Sequence, residues 1–162
     1  MDYILKVEPC IIHITPFGFY QFALDYNKAA KAVSKIDFQK RINYPAYFLY
    51  CRSIELTIKA VLLASKNFSK KEIHTHDFCK LLPKLGHHLE KVLLLKDVDK
   101  NMILDLDKWY KTDQKRFEYF SLETGIPSFI ESNGFPILPT LEDLSSLSNK
   151  VLNPAMVKFV SL

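Results

Sequence analysis

Glycine is scarce in this 162-residue chain: it occurs four times, and long stretches run free of both glycine and proline. That scarcity argues against a many-turned β architecture and for long helices joined by few breaks. Cysteine is also scarce. Cys10, Cys51 and Cys79 are odd in number and unpatterned in spacing, which argues against a disulfide framework and for free thiols in a reducing cytoplasm. The opening MDYILKVEPC has no basic region followed by an apolar run, so no signal peptide is expected. No apolar run approaches the roughly 20 residues of a spanning helix, so no membrane partner is expected either. The net charge is small, +4 with a pI near 8.8. Such a charge permits an anionic partner but is far from a dedicated nucleic-acid arm. What the chain has in quantity is apolar surface, 48% hydrophobic residues against 25% charged. That balance fits one domain over residues 1–162 with a single core.

The helices announce themselves by their ends. Thr15-Pro16 is a hydroxyl cap followed by a proline whose missing N–H costs nothing in a first turn. Phe19, Phe22, Ala23, Tyr26, Ala30 and Val33 supply the apolar face of the helix it opens, which fades near 34–37. Pro45 opens a second helix that meets no breaker until about Ser65. Thr75 is the expected cap of a third, with Asp77 in its first turn and Phe78, Leu81, Leu82 and Leu85 along one face. Pro83 should end or kink it, because proline removes the N–H owed to Cys79. Gly86 supports that break, and the HHLEKVLLL stretch adds a short turn of helix. A fourth long helix is expected from Asp99 to Phe120, on a seam of Ile103, Leu106, Tyr110, Phe117 and Phe120 that also contains Asp113. Thr140 to Asp143 resembles a capping box and opens a last helix that stops before Pro154.

The expected fold is therefore mainly α: an antiparallel up-and-down bundle of four to five helices, with its core at about 16–121. Residues 122–162 form a C-terminal extension with a hairpin-like segment and the last helix. Short accessory β-strands are expected near the N-terminus, where β-formers cluster around Pro9, and over 125–137 around the Asn133-Gly134 turn signal.

The second helix carries the chemistry. YFLYCRSIELTIKAVLL is apolar on nearly every side except where Arg52, Glu55 and Lys59 fall on one stripe. With Asp113 and Arg116 of the fourth helix they define a candidate polar cluster. It reads either as an anion or nucleotide pocket or as an ion-pair network that sets helix register, and the second is favoured. His74-x-His76-x-x-Cys79 is too few ligands for a structural zinc site, so no metal and no cofactor are expected. Lys108, Lys111 and Lys115 beside Trp109 read as a solvated helix face.

Glu55 with Lys59 four residues on, then His76-Asp77-Phe78 with Leu81 and Leu82, then Tyr110 and Arg116-Phe117, resemble in order and separation the motifs of the HEPN superfamily (higher eukaryotes and prokaryotes nucleotide-binding domain) over about 17–121. The resemblance implies a helical bundle, usually a homodimer. Many members are metal-independent RNases that pair with antitoxins or nucleotidyltransferases or act in antiviral defence. Their active site is an arginine followed, after four to six intervening residues, by histidine. This chain has three arginines, and that spacing lands on Ala46, Tyr47 and Phe48 after Arg41, on Thr57, Ile58 and Lys59 after Arg52, and on Ser121, Leu122 and Glu123 after Arg116. None is histidine. A substitute built from Lys71 and His76, or from Lys70 and His74, would replace a bidentate guanidinium by a point charge. The expectation is a non-catalytic binding or regulatory domain in a toxin–antitoxin or defence setting, with a partner protein, RNA or nucleotide as its ligand. A divergent metal-independent endoribonuclease and a nucleotide-binding domain are the alternatives.

Overall fold

The computed structural model describes residues 15–37, 42–110, 138–153 and 155–161. The chain is mainly helical, and no strand occurs among the described residues. The strands expected near the N-terminus and over 125–137 lie outside them, as do Arg41, Asp113 and Arg116. The elements are α1 (Pro16–Val33), α2 (Tyr44–Ala64), α3 (Phe78–Leu81), a 3-10 turn (Leu82–Lys84), α4 (Gly86–Val92), α5 (Asp97–Tyr110), α6 (Leu141–Val151) and α7 (Ala155–Val160).

Directions follow from contacts that cross the bundle. Asn43, the cap of α2, donates to the Val33 carbonyl at the end of α1, while Thr15 and Phe17 share a cleft with Leu63 and Ala64. Hence α1 and α2 are antiparallel. Lys150 near the end of α6 pairs with Asp99 near the start of α5 at 2.5 Å, and Tyr110 at the end of α5 reaches Glu55 in the middle of α2. Tyr47 donates to Pro139 just before α6. These contacts make α1, α2, α5 and α6 an up-and-down four-helix bundle, with α3 and α4 in the crossover between α2 and α5.

α2 is the central strut. Fourteen of its 21 residues are buried, including Ile54, Ile58 and Leu62. A helix apolar on nearly all sides must be surrounded, and α1, α5 and α6 surround it. Register is set by polar contacts that only one alignment satisfies. Ser53 Oγ donates to the Ala23 carbonyl at 2.8 Å, Ser148 Oγ meets Ser53 Oγ at 3.2 Å, and Asn27 Nδ2 reaches Ser148 Oγ at 3.0 Å.

Local expectations meet the structure unevenly. Thr15 and Thr140 cap as expected: each side chain accepts the N–H three residues on, at 2.9 and 3.1 Å. Phe22, expected on the apolar face of α1, is 53% exposed. Its place is taken by Tyr20, because the buried stripe runs through Tyr20, Ala23, Asn27 and Ala30. The third helix begins at Phe78 rather than after Thr75, and Pro83 hands it to a 3-10 turn after four residues. Thr75 instead accepts from Asp77 N in a tight turn. Beyond Pro154 the chain forms α7, which the sequence reading did not anticipate. In a glycine-poor chain even the left-handed position after α2 goes to a lysine, Lys66, at φ 61°.

Candidate functional site

Glu55 lies in the middle of α2 and is wholly buried. A carboxylate there demands partners, and four side chains supply them. One turn back on the helix, Arg52 places Nη1 3.0 and 3.1 Å from the two carboxylate oxygens. One turn forward, Lys59 places Nζ 2.6 Å from Oε1. From the loop before α3, His76 Nδ1 lies 3.1 Å from both oxygens. From the end of α5, the Tyr110 hydroxyl donates to Oε2 at 2.5 Å, a short charge-assisted bond. The carboxylate is saturated.

Each donor is itself held in place. Tyr110 stacks on Phe78 with ring centroids 5.4 Å apart and meets Phe48 at 5.9 Å. Phe78 is fixed at the start of α3 because its N–H donates to Asp107 Oδ1 of α5 at 2.6 Å. Buried Asp107 thus does for α3 what a cap side chain normally does, since Asp77 makes no cap bond and pairs with Lys80. One consequence is that His76, two residues before Phe78, is delivered to Glu55.

Charge follows geometry. Burial alone would push the Glu55 carboxyl up, but the His76 hydrogen bond and the charges of Lys59 and Arg52 outweigh it and pull the carboxyl down to about 2. Burial pushes the Tyr110 phenol up, and the adjoining carboxylate pushes it further, so it stays a donor. Burial works against the charged Arg52 guanidinium, yet Glu55 raises its pKa above the ordinary arginine value. Burial likewise raises the Cys51 thiol, which is an inert core group. His76 Nδ1 also lies 2.8 Å from Arg52 Nη1. The carboxylate can only accept, so the Nδ1 proton of His76 goes to Glu55. Among the described residues Nε2 has no hydrogen-bond partner.

Accessibility falls off inward. The His76 side chain is 42% exposed and Arg52 26%, whereas Lys59 is 8% and Glu55 0%. The cluster is closed at its heart and open at a rim made by one histidine and one edge of an arginine.

Of the expected cluster, the structure brings Arg52, Glu55 and Lys59 together, while Asp113 and Arg116 lie outside the described residues. Sequence reasoning missed Tyr110 and His76 as members of it. Their signals were the polar head of a seam tyrosine and the histidine of the His-Asp helix start. Of the residues weighed as a substitute pair, Lys71 and Lys70 are exposed and make no ion pair or hydrogen bond through their ammonium groups among the described residues, and His76 turns to Glu55. His74 is exposed. His74, His76 and Cys79 do not assemble, and no group of three or more His, Cys, Asp or Glu side chains able to hold a metal occurs among the described residues. No helix among them is long and apolar enough to cross a membrane. Comparison with family models, with curated proteins and with solved structures finds no match for this chain.

Proposed function

We propose that this chain is a HEPN-like helical bundle that binds and regulates rather than cleaves, acting as a homodimer with a partner protein in a toxin–antitoxin or defence setting. The observation that supports this most is the saturation of Glu55. Four donors converge on one carboxylate from α2, α5 and the approach to α3, so the polar stripe of α2 serves first to lock three parts of the bundle together. No arginine is followed, after four to six intervening residues, by histidine, which agrees with a binding role. The system-level part rests on resemblance alone, and the dimer is read by sedimentation equilibrium: a monomer at every concentration removes it.

A second reading, a divergent metal-independent endoribonuclease, is favoured by one specific observation. Arg52 and His76, 24 residues apart in the chain, touch at 2.8 Å on the rim of the cluster. Together they offer a guanidinium for a phosphate and a free imidazole nitrogen for a proton. Incubation of the protein with mixed RNA in EDTA separates the two readings. No cleavage is expected. Cleavage that disappears in His76→Ala would replace the binding module by the nuclease.

A further inference from the structure

The apolar residues of α1, expected on one face, serve two. Tyr20, Ala23 and Ala30, with Asn27 among them, are buried against the rest of the bundle. Phe19, Phe22, Tyr26, Ala29 and Val33 form a second line beside that stripe, at spacings of three, four, three and four residues. This is the repeat by which one helix seats another along its length. Phe22 is 53% exposed and Ala29 is exposed, while Phe19, Tyr26 and Val33 are half-buried. Phe19 and Tyr26 pack against the core, which holds the line in place. Ile36, three residues beyond Val33 in the turn that closes α1, is 54% exposed. Single exposed apolar side chains are ordinary on a surface, but a helical line of them is a face shaped for another helix.

The line is graded in size. Its first half is aromatic, Phe19, Phe22 and Tyr26, and its second half is small or branched, Ala29, Val33 and Ile36. Two copies laid side by side in parallel would stack Phe on Phe and Ala on Ala. Laid antiparallel, they set Tyr26 against Ala29, Phe22 against Val33 and Phe19 against Ile36, each twice about a dyad. Every layer then holds one large and one smaller side chain, so the face is complementary to itself in that direction alone. Charge agrees with size. Asp25 flanks the line and meets exposed Lys28 of its own helix only loosely, at 3.9 Å. The antiparallel arrangement brings Asp25 within reach of Lys28 of the second copy, again twice about the dyad.

We propose that this outer face of α1 is where a second copy of the chain docks, the two α1 helices packing antiparallel about a dyad between Tyr26 and Ala29. This interface gives the homodimer proposed above a face and a direction, and so rests on that reading. It leaves the Glu55 cluster of each copy untouched, because no member of the cluster lies on α1.

The test is sedimentation equilibrium of the full chain and of three variants, each checked for folding by circular dichroism. Phe22 is half exposed and Val33 stands at the last turn of α1, so Phe22→Lys and Val33→Asp should both fold. Each should raise the dimer dissociation constant by about tenfold or more. The double variant sets a lysine of one copy against an aspartate of the other in the same layer, and it should dimerise about tenfold more tightly than Phe22→Lys alone. Within one copy these two positions lie three turns apart, too far for the rescue to be internal. Unaltered dimerisation in folded Phe22→Lys overturns the face while leaving the homodimer standing on some other surface. A double variant no tighter than the single ones overturns the antiparallel pairing. A natural chain that stays monomeric at every concentration overturns both the face and the dimer, and leaves the line on α1 to a helix of a partner protein.

Discussion

Glu55→Ala lowers the unfolding free energy by about 3–5 kcal/mol, read from urea denaturation. The size comes from what is left behind more than from what is removed. The Lys59 side chain is 8% exposed and its ammonium is paired with Glu55 at 2.6 Å, so truncation leaves a buried cation without its counter-charge. Tyr110 loses the acceptor of its short hydrogen bond. Arg52 and His76 lie nearer the surface and can turn to water, so they add less to the cost. This division can be checked by a second variant. Adding Lys59→Met to Glu55→Ala removes the stranded charge and fills the space with an apolar chain, and it should recover a substantial part of the loss. A double variant no more stable than Glu55→Ala, or a single variant with a change near zero, would show that the stripe on α2 does not hold the bundle.

The stripe itself was legible because it is local. Arg52, Glu55 and Lys59 sit at helical spacing in a run with no breaker, and helix geometry alone brings them to one side. The Thr15 and Thr140 caps are legible for the same reason, since each is settled within four residues. What the sequence hid depends on residues far apart. His76 reaches Glu55 because Asp107, 29 residues after Phe78, takes the first N–H of α3. Nothing near Thr75 signals that arrangement, which is why the start of α3 was expected too early and His76 was weighed with Lys71. Tyr110 was visible as a seam aromatic, but its hydroxyl could not be assigned a partner 55 residues away. α7 was missed because Pro154 was read as a stop. Yet Met156 and Val160 beyond it are apolar and buried, so the segment packs as a helix.

Acid unfolding should expose Glu55 in the titration curve of stability. Its carboxyl titrates at about 2 in the folded chain against an ordinary value of 4.5. Between those two pH values the unfolded chain binds the proton and the folded chain does not, so stability rises with pH across that window. The contribution is complete above about pH 4.5 and is lost as the pH falls toward 2. The shift corresponds to about 3 kcal/mol at full strength. Exposed Glu72 is also lowered, through its bonds to Ser69, but solvent screens it and it cannot produce a step of this size. Urea midpoints measured from pH 6 down to pH 2 should therefore fall mainly below 4.5 in the natural chain. Glu55→Gln keeps the shape of the side chain and has no proton to gain, so its curve should start lower and stay flatter through the same window. Parallel curves for the two proteins would place the acid sensitivity elsewhere and show that the Glu55 carboxylate is not the charged centre of the bundle.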